Sequence, residues 1–172
     1  MDFGRVRFPP LDATGPEGHE VAALLPKARL LVGAGATEAE VHSTRGARVL
    51  HIATHGFFLE DLGRPQAQGG RGLELVGASE RFVDVPEDPL LRSGLALAGA
   101  NLRKSGAHDG ILTALETAGL DLWCTQLVVL SACESSVADT DDRGADLASL
   151  TGAFLIAGAP SAIGTLWPVA DE

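Results

Sequence analysis

Two residues with nucleophilic or acid–base chemistry stand at the ends of apolar runs. Residues 126–136 read QLVVLSACESS. Leu127, Val128, Val129 and Leu130 make a β-branched run too short for a helix of ordinary length, and it is expected as a strand buried on both faces. Cys133 follows just past its carboxyl end, where ligands and chemistry collect in open α/β sheets. Residues 48–58, RVLHIATHGFF, repeat the pattern. Val49, Leu50, His51, Ile52 and Ala53 form a second strand candidate, and Thr54, His55 and Gly56 follow it. If the two strands are parallel neighbours, an imidazole and a thiol share one sheet edge. A Cys/His nucleophilic enzyme needs that arrangement. The bland readings are a buried hydrophobe at Cys133 and an ordinary turn histidine at His55. Spacing alone does not choose between these and the dyad.

Composition bounds the scaffold that must hold such a pair. The chain has 172 residues, which favours one domain with a real hydrophobic core. Aromatic content is 5% with no Tyr, so that core must be aliphatic. A net charge of -10 argues against a nucleic-acid phosphate surface or an anionic membrane and permits a basic substrate. Cys124 and Cys133 make neither a disulfide framework nor a zinc motif, so no metal and no cofactor is expected. The N-terminus lacks an apolar signal core, and no apolar run is long enough to span a bilayer. A reducing cytoplasm is the simplest location.

Along the chain, residues 1–27 read as a lead-in, with a helical turn or two in HEVAALLPKA that stops before Pro26. Residues 29–33 are expected as a first short strand. Thr37 with Glu40 signals a capping box, opening a crossover helix over 37–43. Residues 49–53 complete a strand–helix–strand unit, which implies a parallel pair with a right-handed crossover. Residues 57–89 lose periodicity and are expected as a long functional loop, mobile and open to trypsin near Arg64 or Arg71. Strand character returns over 89–99. Ile111 to Glu116 read as a short helix ending near Gly119. An acidic loop precedes a helix carrying Leu147, Leu150, Phe154 and Leu155, which Gly158 and Pro160 stop. Residues 161–167 form a last strand, expected beside the Cys133 strand. The fold class is α/β: a three-layer sandwich with a mainly parallel sheet flanked by helices. Alternation puts His51 on one face with Ala53 and His55, where strand packing is a better reading than a His–Cys metal site. Cys124 is expected to be buried and inert; His19, His42 and His108 are expected at the surface.

Five segments occur together in this order: LHIATHGFF, PLLRSGLALAGAN, DGILTALETAGLDL, QLVVLSACES and AFLIAGAPSAIGTLWPVAD. Over residues 28–172 the chain resembles a CHAT domain, the caspase-like domain often attached to tetratricopeptide repeats in bacteria. Such domains group with the caspase, gingipain and separase cysteine peptidases. The resemblance implies a caspase-like fold and an endopeptidase acting in bacterial signalling or defence. It puts the histidine at His55, the following glycine at Gly56 and the cysteine at Cys133. A free thiol has a pKa of about 8.5, so the nucleophile needs a base. His55 would take the Cys133 proton and return one to the leaving amine. The Gly56 and Cys133 amides would hold the oxyanion. In separase-like relatives a carboxylate after the last core strand selects a basic residue, and here that position is Asp171. A carboxylate can meet arginine with two parallel hydrogen bonds, which lysine cannot match. Glu172, Asp146 or Glu134 could supply it instead. Expected partners are a protein or peptide substrate and tetratricopeptide-type repeats or regulatory proteins, with no direct nucleic acid and no membrane. There are two departures from the pattern. The usual C-terminal helices are expected to be missing after WPVAD. Gly144, Ala145 and Asp146 replace an acidic–glycine pair. The rival class is a catalytically idle interaction domain.

Overall fold

The computed structural model describes residues 7–58, 88–102, 108–132 and 150–165. Its apolar runs form two small sheets. β1 (Val49–Ala53) and β5 (Leu127–Ser131) pair in parallel, with Val49 opposite Leu127 and Ala53 opposite Ser131. β6 (Ala162–Gly164) pairs in parallel on the other side of β5, giving the order β1-β5-β6. The two site-bearing runs are therefore parallel neighbours, the condition the dyad needs, and the last strand lies where it was expected; the parallel pair expected between 29–33 and 49–53 is not formed.

The second sheet is antiparallel, in the order β2-β3-β4. It is built from β2 (His55–Phe58), β3 (Ser93–Ala96) and β4 (Ile111–Thr113). The fold is thus a mixed α/β structure with one parallel sheet, one antiparallel sheet and helices. Thr54 joins the sheets. Its N–H donates to the Ser131 carbonyl at 3.1 Å, and its hydroxyl donates to the Ala96 carbonyl. His55 therefore opens a strand of the second sheet, where a loop was expected. The alternation that would put it on a face with His51 ends at this joint.

Four helices accompany the sheets among the described residues: α1 (Thr14–Leu24), α2 (Glu38–Ser43), α3 (Ala114–Ala118) and α4 (Leu150–Ile156). The main core gathers Ile52, Leu95, Leu112, Leu122, Val128, Leu130 and Phe154 between the strands and α3–α4. Along β5, Val128 and Leu130 are buried while Leu127, Val129 and Ser131 are half-buried. One face of the strand is thus sealed and the other only partly covered, where burial on both faces was expected. α1 has no buried residue. No helix among the described residues is long and apolar enough to cross a membrane.

Several expectations give way to specific local causes. Residues 29–33 are not a strand: Leu31 and Val32 are exposed, and the Arg29 guanidinium pairs with Glu40 at 2.7 Å. Glu40 is thereby drawn away from a capping box, and the Thr37 hydroxyl alone caps α2 through the Glu40 N–H. The full capping box lies at Thr113 and Glu116. Its N-cap must be extended, so Ile111 and Leu112 complete β4 and the helix begins only at Ala114. α4 ends as expected, at Gly158 with φ +105°. Cys124 is exposed, since the turn before β5 buries Leu122 and Thr125 and leaves Trp123 and Cys124 outside. Within the expected lead-in of residues 1–27, the described Phe8 and Glu17 pack on the fold. Phe8 joins Ala96, Ala100 and Ile111, and Glu17 reaches the parallel sheet.

Candidate active site

His55 stands on the edge strand β2, directly after the joint between the sheets. Its Nε2 lies 2.7 Å from the Pro9 carbonyl oxygen. That oxygen only accepts, so Nε2 carries the proton and Nδ1 is left as the lone-pair nitrogen of the neutral ring. The Phe8 ring tilts against the imidazole with centroids 5.7 Å apart and against Phe57 at 5.9 Å. The imidazole is thus held by one hydrogen bond and one ring contact.

The segment that holds it is itself held. The Asn101 side-chain amide accepts from the Phe8 N–H at 3.1 Å and donates to the Phe8 carbonyl at 2.7 Å. Pro9 and Pro10 fix their own φ and keep the preceding residues out of the helical region. Phe8–Pro9 is therefore pinned at the backbone. It forms one wall of an open groove of about 310 Å³, also lined by Thr54, His55, Ala96 and Asn101. Nothing in the residue types of 8–10 marked them as part of a site. The residues that meet there are 93 positions apart for Phe8 and Asn101, and 46 for Pro9 and His55.

Gly56 lies on β2 opposite Leu95. Cys133, Asp171 and the alternative carboxylates Glu134, Asp146 and Glu172 lie outside the described residues, as does the expected loop with Arg64 and Arg71. The backbone leading to Cys133 is described up to Ala132. Ser131 accepts from the Thr54 N–H, and the Ala132 carbonyl accepts from the Thr165 hydroxyl. Both residues that precede Cys133 are thus tied to neighbouring strand ends.

A second polar group lies on the parallel sheet. Glu17 of α1 meets His51 Nε2 through Oε1 at 2.9 Å and accepts from the Ser131 hydroxyl through Oε2 at 3.1 Å. His51 and Ser131 belong to register pairs two residues apart on one face. His51 is thus a packed strand residue with a carboxylate partner, and Glu17 is a contact the sequence did not signal.

Among the described residues, one group of metal-ligating types converges: Glu38, His42 and His108, with their ligand atoms all within 4.8 Å of one another. Glu38 is buried, His42 is half-buried and His108 is exposed. Glu38 and His42 are four apart on α2, so this half of the group was legible as one helix face. His108 comes from 70 residues away. The two histidines expected simply at the surface therefore meet on a buried carboxylate.

A family model for the CHAT domain matches residues 1–172, taking in both sheets and the Pro9 segment. No curated protein matches the chain at a significant level. Because the match spans the whole sequence, the chain belongs to the CHAT domain family, a caspase-like family compatible with cysteine peptidase chemistry.

Proposed function

We propose that the chain is a cysteine endopeptidase in which His55 is the base and Cys133 the nucleophile. The observation that carries this reading is the hydrogen bond from His55 Nε2 to the Pro9 carbonyl. A nucleophile's base works when a third group orients it, and here a backbone carbonyl fixes both tautomer and ring direction. With Nε2 committed, Nδ1 takes the thiol proton. The thiolate attacks the scissile carbonyl, and the Gly56 and Cys133 amides hold the oxyanion. The imidazolium then protonates the leaving amine, and water hydrolyses the acyl-enzyme with His55 again as base. Two facts support the meeting of base and nucleophile. β1 and β5 are parallel neighbours, and the residue before His55 is bonded to Ser131, two residues before Cys133.

The same proposal includes a three-layer caspase-like arrangement, a reducing compartment that keeps Cys133 a free thiol, and a bacterial role in signalling or defence. Arginine before the scissile bond would be read by Asp171, which follows β6 in sequence; β6 is the neighbour of β5. The test is an activity probe: a peptide ending in an arginine-type thiol-reactive warhead, applied to wild type, His55→Ala and Asp171→Ala. Labelling at Cys133 that is lost in His55→Ala and loses its arginine preference in Asp171→Ala supports the reading. A folded protein that never labels Cys133 is an idle interaction domain. A preference for aspartate removes Asp171 from its role.

A further inference from the structure

Glu38 presents a charge problem. Its side chain is 1% exposed, and a carboxylate taken out of water is costly unless paired. Oε2 accepts from the Gly110 N–H at 3.0 Å. Oε1 faces two imidazoles, His108 Nδ1 at 3.3 Å and His42 Nε2 at 3.5 Å. Both distances are long for charge-assisted hydrogen bonds, which run about 2.7–2.9 Å. They match instead the spacing of two ligands on one ion, and all three ligand atoms lie within 4.8 Å of one another. Ligand atoms about 2.0–2.2 Å from a tetrahedral ion stand about 3.3–3.6 Å from each other.

We propose that Glu38, His42 and His108 bind one divalent transition-metal ion of the Zn2+ class. Two imidazole nitrogens and one carboxylate oxygen suit such an ion; Ca2+ and Mg2+ prefer oxygen alone. Three protein ligands leave a fourth position for water. His42 and His108 side chains are 31% and 45% exposed, so that position opens to solvent and the ion has an entry path. The second carboxylate oxygen is already fixed by the Gly110 N–H, the kind of outer contact that orients a metal ligand. The backbone at this position requires glycine. Gly110 has φ +90°, and a Cβ there would stand 2.3 Å from the Ala100 nitrogen.

The ion would join two parts of the fold. α2 is bridged to the β3–β4 connection by the Ala98 N–H, which donates to the Ala36 carbonyl at 3.0 Å, and by a Thr37–Ala98 bridge. That connection supplies Ala98 and Asn101 to the His55 groove. A bound ion therefore staples the groove wall from behind. Metal binding itself does not depend on the peptidase reading.

The test uses the full chain, metal-free and with both cysteine thiols alkylated. Zn2+ is titrated calorimetrically and Co2+ is followed by visible absorption. Expected are one ion per chain, a four-coordinate Co2+ spectrum and a melting temperature that rises with Zn2+. His42→Gln and His108→Gln should each weaken binding by about tenfold or more and abolish the melting shift, while His19→Gln changes neither. Circular dichroism checks that the variants are folded. Absence of binding overturns the proposal. So does an affinity unchanged in the folded His42→Gln/His108→Gln double variant, or a Co2+ spectrum of the six-coordinate type.

Discussion

The two sheets of this protein do different work. Both sheets feed one aliphatic core, in which Ile52, Val128 and Leu130 of the parallel sheet meet Leu95 and Leu112 of the antiparallel sheet together with Leu122 and Phe154. The antiparallel sheet also carries His55 on its edge strand, where Phe8 packs on the imidazole and on Phe57 and the Pro9 carbonyl accepts from the ring. The proposed base and nucleophile thus depend on different parts of the molecule. Cys133 follows the parallel sheet in sequence, while His55 is positioned by the antiparallel sheet's edge strand, the Thr54 joint and a pinned N-terminal segment. The comparison teaches that core stability and site geometry are separable here, and substitutions can test that.

The largest separation should come from Cys133→Ala. It should lower peptide turnover by about a thousandfold or more with little change in melting temperature, because a catalytic group acting as part of a unit is lost and little volume is removed. Turnover and melting are measured together, with Cys124→Ala as the control; Cys124 is exposed and should keep activity. Surviving turnover, or a large melting drop, would make Cys133 structural. Phe154→Ala should do the reverse. The side chain is fully buried in the main core, so its truncation should cost about 3–5 kcal/mol in urea unfolding. A folded population of that variant under native conditions should still label with the probe. Loss of labelling while it remains folded would break the separation.

Asn101→Ala should be a milder, site-side effect. Asn101 holds Phe8 at both backbone groups. Its loss should lower kcat about tenfold with KM little changed, since only the positioning of the Pro9 carbonyl on His55 is loosened. An altered pH profile of kcat would accompany this, whereas a merely structural role would lower the melting temperature and leave the profile alone. Smallest should be Thr54→Val, which keeps shape and deletes the hydroxyl bond to Ala96. A hydrogen bond of this kind contributes about 0.5–1.5 kcal/mol. Because Thr54 joins the sheets, its stability loss should come with a partial loss of labelling, unlike that of Phe154→Ala. A stability loss alone would mean that the joint does not couple core and site.

What the sequence determined by itself was local. The runs 49–53 and 127–130 announced β1 and β5 because a short β-branched apolar stretch has few other ways to bury itself. The place of β6 beside β5 followed from the order of the elements and the five ordered segments carried the family, whereas the parallel partner of β1 is β5 and not the 29–33 run that element order suggested. Where two local signals competed, the sequence misled. Ile111 to Glu116 could be read as one helix until the Thr113–Glu116 capping box fixed a boundary inside it. The run Leu30–Leu31–Val32 looked like a strand, but a largely exposed run without a ladder partner among the described residues does not become one.

Tertiary structure decided everything that depends on distant residues meeting. The Pro9 carbonyl on His55, the Asn101 clamp on Phe8, and Glu17 between His51 and Ser131 leave no periodic trace. Their partners lie tens of residues apart, and hydrogen bonds to backbone atoms demand no side-chain type on the accepting side. The Glu38–His42 spacing was visible on one helix face, yet it became a candidate metal site only when the fold delivered His108 to the same carboxylate. Local burial and capping act within a few residues along the chain. Bringing three ligands to one point depends on how α2 packs against the β3–β4 connection, and that packing is set by the whole core.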